Sequence, residues 1–107
     1  MYQLRLRFEN GDTVDCRIQS AIVLGRRDSA NHQQVDIDFA SFGIAEVSRL
    51  HVFIYADERG LQVQDFNSRN GTFLNGYQLV PMQRYPLNTG DMLMLGRIPV
   101  WIELAME

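Results

Sequence analysis

The feature that most limits what this chain can become is a succession of short apolar and polar alternations, each cut off by turn residues. Tyr2, Leu4, Leu6 and Phe8 alternate with Gln3, Arg5 and Arg7, a period of two that puts the apolar side chains on one face of a strand. Glu9-Asn10-Gly11-Asp12 reads as a turn, because Asn and Gly tolerate positive φ, and Val14, Cys16 and Ile18 then resume the alternation. Residues 21–24 form a short apolar run that ends at Gly25, and Val35, Ile37 and Phe39 alternate with Asp36 and Asp38. Residues 51–55 and 61–65 flank Asp57-Glu58-Arg59-Gly60 as a hairpin. Phe73-Leu74 and residues 77–79 flank Asn75-Gly76, the strongest short-range hairpin signal. Residues 92–95 and 98–102 close the series around Gly96-Arg97, and no longer window carries a helical stripe.

Short strands with turn signals every ~8–12 residues predict an all-β antiparallel sandwich or barrel. A chain of 107 residues fits one domain, 1–107, and 46% hydrophobic residues suffice for its core. Three polar segments do not fit the strand pattern. They are residues 26–34, ending in His32-Gln33-Gln34, residues 40–47, a loop running into Ser48, and residues 66–72. Loops held on a rigid sandwich are where binding residues concentrate.

Several functions are excluded at this stage. No apolar run approaches the ~20 residues of a spanning helix, and Met1-Tyr2-Gln3-Leu4-Arg5 lacks a secretory h-region, so a cytoplasmic protein with no membrane partner is expected. Cys16 is the only cysteine, which leaves no intrachain disulfide and no thiolate cluster. His32 and His51 are the only histidines, and Asp36 and Asp38 read as a solvated strand face, so neither a metal nor another cofactor is expected. A net charge of -3 argues against nucleic acid as a partner. Yet all ten basic residues are arginine, whose planar fork matches phosphate or carboxylate in a bidentate way. Four of them, Arg26, Arg27, Arg49 and Arg69, fall on or beside the three loops.

Those loops carry Gly25-Arg26, then Ser48-Arg49-Leu50-His51, then Asn70-Gly71-Thr72. In that order and at that spacing the chain resembles the forkhead-associated (FHA) domain over residues 2–104, whose signature is Gly-Arg, Ser-x-x-His and Asn-Gly-Thr. The resemblance implies a β-sandwich of about eleven short strands, with loops at one end that bind phosphothreonine in an extended peptide. Carried over by motif, Arg26 and Ser48 contact the phosphate and Asn70 the peptide main chain, while Arg49 and Arg69 hold neighbouring positions that commonly contribute. Gly25, His51, Gly71 and Thr72 support the site structurally: His51 braces the loop by hydrogen bonds, Gly71 (like Gly76) takes positive φ, and Thr72 bonds within its own turn. Asp65 is expected to orient backbone amides, since a carboxylate beside phosphate repels it. Candidates for reading the residues beyond the phosphothreonine are Arg27, Asn31, Arg49, Arg69 and Gln83-Arg84.

The residue chemistry agrees with that implication. A phosphothreonine carries about -1.5 to -2 charges and three acceptor oxygens at pH 7, which call for a fixed cation, a hydroxyl or amide donor, and a grip on the peptide backbone. The function so implied is a phosphothreonine-peptide-binding interaction module in Ser/Thr-kinase-linked signalling, monomeric or oligomeric, alone or within a larger protein. The alternative is an FHA-like scaffold that docks or oligomerises without phosphate. An enzyme can be assembled on paper from Ser48, His51 and Asp65, but Ser48 and His51 are expected to point opposite ways at a strand start, and no Gly-x-Ser-x-Gly elbow accompanies them.

Overall fold

In the computed structural model, which describes residues 1–30 and 34–106, the alternating segments become eleven strands. These are β1 (Tyr2–Phe8), β2 (Thr13–Ile18), β3 (Ala21–Gly25), β4 (Ile37–Asp38), β5 (Leu50–Asp57), β6 (Gly60–Asp65), β7 (Thr72–Leu74), β8 (Tyr77–Gln78), β9 (Arg84–Leu87), β10 (Met92–Leu95) and β11 (Ile98–Met106). They form two sheets, ordered β2-β1-β11-β10-β7-β8 and β4-β3-β5-β6-β9. The inward set of the first sheet, including Leu4, Leu6, Leu93 and Ile102, packs into one buried cluster with Leu24, Val52, Ile54 and Val63 of the second. On the outer face Arg5 grips Asp15 of the neighbouring strand through two bonds of 2.7 and 3.0 Å. The Asn75-Gly76 turn has φ of 51° and 90°, the left-handed pair that a tight hairpin requires.

The structure departs from the alternation in four places. The Val35, Ile37 and Phe39 alternation yields only the two-residue β4, and it pairs in parallel with β3, Leu24 opposite Ile37 and Gly25 opposite Asp38. The chain turns instead into a 3-10 helix, Phe39–Phe42, within a stretch expected to be loop. Asp38 is the reason: its carboxylate accepts from the Ala40 amide at 3.0 Å and caps that turn, and it also takes the Arg27 amide at 2.9 Å. Asp36 accepts from the Val23 amide at 2.7 Å, so these two carboxylates fasten β3 to the following segment and are not merely a solvated face. The third departure is β9, which escapes the pattern because Pro86 interrupts it; proline is tolerated there since β9 is the edge of its sheet. Finally, β11 runs four residues past the expected end at residue 102, to Met106, held by seven paired positions along β1.

Strand direction gathers the loops. β3, β5 and β6 are consecutive antiparallel neighbours, so the end of β3, the start of β5 and the end of β6 share one edge of the sandwich. Leu95 of β10 lies opposite Thr72 of β7, which brings the Gly96-Arg97 turn to the same end. Asn31, His32 and Gln33, within the first polar segment, lie outside the described residues.

Phe39 is fully buried with its ring centroid 5.6 Å from that of Phe8, edge to face. Truncation leaves a cavity that so tight a contact cannot close, and Phe39→Ala is expected to cost about 3–5 kcal/mol, read as a lower urea midpoint at unchanged slope.

Candidate functional site

The five residues named for ligand contact are brought together. Arg26, Ser48, Arg49, Arg69 and Asn70 all line one open depression of about 710 Å³ at the loop end of the sandwich. Its charged lining is three arginines against the single Glu46, in a chain whose net charge is -3.

Each of these residues is aimed by backbone that the sequence dictates. Gly25 ends β3 where the chain passes hard against its neighbour, and a Cβ there would stand 2.0 Å from the Arg49 carbonyl oxygen. Only glycine permits that approach, and it lets the Arg26 amide donate to the same carbonyl at 3.2 Å. The Arg26 side chain then donates through Nε to the Val47 carbonyl at 3.1 Å, which fixes the plane of its guanidinium. Ser48 Oγ accepts the Arg69 amide at 2.9 Å. With that lone pair engaged, the hydroxyl keeps its hydrogen to donate. Asn70 donates from its amide to the Glu46 carbonyl at 3.1 Å and packs beside Gly96, where a Cβ would come within 3.2 Å of its own. The Arg49 side chain is largely exposed and reaches Asp28 at 3.3 Å.

Behind them sits His51, fully buried. It falls at a bulge: Leu24 pairs with Val52 and Gly25 with Leu50, so His51 has no residue opposite it on β3. Its Nδ1 accepts the Ser48 amide at 3.0 Å, and its Nε2 lies 2.9 Å from the Gly71 carbonyl oxygen. Because a carbonyl only accepts, the hydrogen is assigned to Nε2, and the neutral imidazole is satisfied at both nitrogens. Gly71, at φ 83°, also receives the Gly96 amide at 2.8 Å on the same carbonyl. Thr72 is buried and donates to Asp65 at 2.6 Å; Asp65 also takes the Ser68 hydroxyl, and the Ser68 amide at 3.2 Å. Asp65 therefore shapes the 66–71 loop from within.

Other candidates lie elsewhere. Arg27 donates to the Val35 carbonyl through two nitrogens, at 3.0 and 2.7 Å, and its guanidinium is structural. Arg84 stacks over the Tyr55 ring, 3.7 Å from its centroid, and Gln83 bonds to Val80, so neither borders the depression. Ser48 lies just before β5, so strand alternation does not govern it; the pair still parts, with Ser48 at the depression and His51 beneath. Sequence reasoning missed Asn67, held at φ 52°, and the Val47 and Glu46 carbonyls, for which side-chain identity gives no signal. Among the described residues no cluster of three or more His, Cys, Asp or Glu could hold a metal ion, and no helix is long and apolar enough to cross a membrane.

Fold and site thus define a β-sandwich that presents a cationic loop pocket braced by a buried histidine. The FHA domain family matches over residues 22–96, well over half of the chain, and the chain belongs to that family. It is similar to protein FraH of Nostoc sp. (strain PCC 7120), 36% identical over 63 residues, which are 58% of this chain and 22% of FraH. The probable E3 ubiquitin-protein ligase dma1 of Schizosaccharomyces pombe is 35% identical over 65 residues, 57% of this chain and 24% of that protein. The chain therefore spans under a quarter of either relative. Among solved structures, an FHA domain of an Arabidopsis thaliana hypothetical protein superposes with TM-score 0.74 at 28% identity, over 98% of this chain and 87% of the other. A structure from work on phosphothreonine-dependent FHA domain interactions gives 0.70 at 25% identity, with 98% and 97% covered. The FhaA FHA domain, complexed with the intracellular domain of Rv3910, gives 0.72 at 25% identity, with 96% and 100% covered.

Burial lowers the His51 pKa from its ordinary 6.5, opposed in smaller part by the bond to Gly71 and by the Asp65 carboxylate. Below pH 6.5 the unfolded chain takes up a proton that the folded imidazole refuses, so stability is full above that pH and falls as the pH drops through it. The melting temperature is expected to be lower near pH 5.5 than near pH 7.5, and His51→Gln, though less stable overall, should lose that part of the slope. Equal slopes in both proteins would contradict the assignment.

Proposed function

We propose that this chain binds phosphothreonine in an extended segment of a partner protein, and that residues 26–30, 43–49 and 66–71 form the binding end. The observation that carries the reading is the convergence of three arginines, a hydroxyl with its proton to give, and a side-chain amide on one depression of an acidic chain. Arg26, oriented by Val47, supplies the fork for two phosphate oxygens, and Ser48 donates its hydroxyl to another. Asn70, with one amide hydrogen on the Glu46 carbonyl, keeps an oxygen and a second hydrogen for the peptide main chain. Arg49 and Arg69 add charge from the rim. The threonine methyl favours phosphothreonine over phosphoserine by only ~1–3 kcal/mol.

Binding, rather than hydrolysis, is supported by the state of the Ser48 and His51 pair. Both imidazole nitrogens are committed to backbone, one to the Ser48 amide and the other to the Gly71 carbonyl, so neither is placed to take the Ser48 proton. Asp65 bonds to Ser68 and Thr72 instead of orienting the histidine. The chain then acts as one FHA domain over residues 1–107, since β1 pairs along its whole length with β11 and from Tyr2 to Arg7 with β2. Its setting is Ser/Thr-kinase signalling in the cytoplasm, where threonine phosphorylation by ATP supplies the mark. It works there alone or as a module of a larger protein.

Two or three charge-assisted bonds at roughly 1.5–3 kcal/mol each, less ordering costs, suggest a Kd on the order of micromolar. In a fluorescence-polarisation titration with a degenerate phosphothreonine peptide pool, Arg26→Ala is expected to weaken binding tenfold or more (about 1.4 kcal/mol) with an unchanged melt. Equal affinity in the variant would remove Arg26 from the site. Equal binding of an unphosphorylated pool by the wild-type domain would point to phosphate-independent docking.

A further inference from the structure

The binding depression does not end at Asn70. Asn70 and Glu46 also line a second hollow of about 620 Å³, whose other walls include Phe73, Met94 and Arg97. Arg97 in turn lines a third, of about 540 Å³, floored by Phe8, Phe42, Ile98 and Pro99 and carrying the carboxylates of Glu9 and Asp12. Neighbouring hollows share lining residues, Glu46 and Asn70 between the first and second and Arg97 between the second and third, so the three lie side by side from the loop end to the β1–β2 turn.

The third hollow has properties that folding alone does not require. The Phe42 ring is 41% exposed, yet it is held in place. It packs against the buried Phe8 with centroids 4.8 Å apart, on a 3-10 turn capped by Asp38 before it and by Gly43, at φ 76°, after it. A half-exposed aromatic face in a concave, largely apolar place can seat an apolar side chain. Glu9 and Asp12 outnumber the one cation in its lining, Arg97, the reverse of the first hollow, where three arginines stand with Glu46.

We propose that this third hollow is a second docking site for the same phosphothreonine-bearing chain, accepting an apolar side chain with lysine or arginine beside it. Adjacency to the phosphate-binding depression through the second hollow selects that occupant, and charge selects its chemistry: phosphate goes to the arginines, and the cationic flank goes to Glu9 and Asp12. The longest dimension of the molecule is 33 Å, and an extended chain advances about 3.3 Å per residue, so about ten extended residues suffice to span the straight distance between the two anchors. Two linked anchors raise affinity and selectivity without strengthening the phosphate pocket itself. The inference rests on the phosphothreonine reading and extends it.

The test uses a short phosphothreonine peptide selected from the degenerate pool. That core is extended by ten residues ending in leucine and two lysines, once on the N-terminal and once on the C-terminal side, and each long peptide is also made without phosphate. Affinities are measured for the wild-type domain, for Phe42→Ser and for the double variant Glu9→Lys with Asp12→Lys. One of the two extensions is expected to tighten binding about tenfold. Each variant should abolish that gain while leaving the affinity for the short core unchanged. No gain from either extension, or a gain that survives both variants, overturns the proposal. So does equal binding of the long peptide without phosphate, which would make the third hollow an independent site. If the wild-type domain selects no phosphothreonine core from the pool, the phosphothreonine reading itself is sunk, and the second anchor falls with it.

Discussion

The loop end depends on one buried imidazole. Taken alone, His51 is an expensive residue to place where water cannot reach, because an unsatisfied polar group in the interior costs roughly 1–3 kcal/mol. Here both ring nitrogens are engaged, one by the Ser48 amide and the other by the Gly71 carbonyl, so the ring ties the start of β5 to the 66–71 loop. The Gly71 carbonyl passes the constraint on to the Gly96 amide of the β10–β11 turn. Ser48 Oγ closes the circuit by accepting from Arg69, next to Asn70. Three loops that are far apart in sequence therefore hold one geometry before any ligand arrives. Preorganisation of this kind is what lets a few charge-assisted bonds give useful affinity.

Charge is divided in the same economical way. The chain as a whole is acidic, with 13 Asp and Glu against ten arginines. Many of its carboxylates have structural duties: Asp15 holds Arg5, Asp36 and Asp38 fasten the segment after β3, and Asp65 shapes the 66–71 loop from inside. Among the described residues, Arg26, Arg49 and Arg69 gather at one depression together with Glu46, Arg49 also reaching Asp28. On the proposed reading, a local positive field on a negative body steers a phosphorylated segment to the loop end and disfavours its approach elsewhere.

Much of this was legible in the sequence, for physical reasons that differ by element. Period-two alternation and the Asn75-Gly76 turn announced most strands, because both follow from local backbone geometry. Strand β9 was invisible, since Pro86 breaks the pattern and only its edge position makes it a strand. The 3-10 helix was equally hidden, because Asp38 decides it through a side-chain cap that periodicity does not register. At the site, Arg26, Ser48 and Asn70 line one depression, for reasons that are tertiary. Gly25 is needed for a 2.0 Å clash it avoids and not for an unusual φ, and His51 is aimed by a bulge that no local signal marks. Arg27 and Arg84 looked like ligand readers by position alone; the first serves the Val35 carbonyl and the second covers Tyr55.

The most direct test of this account is backbone amide shift mapping by NMR during titration with a phosphothreonine peptide. The account predicts saturable changes centred on Arg26, Ser48, Arg69 and Asn70, on the order of micromolar, with the amides of the β4 and β9 edges unmoved. Changes centred on a sheet face or edge strand, with those four amides still, would contradict it and leave the arginine-lined depression without a ligand.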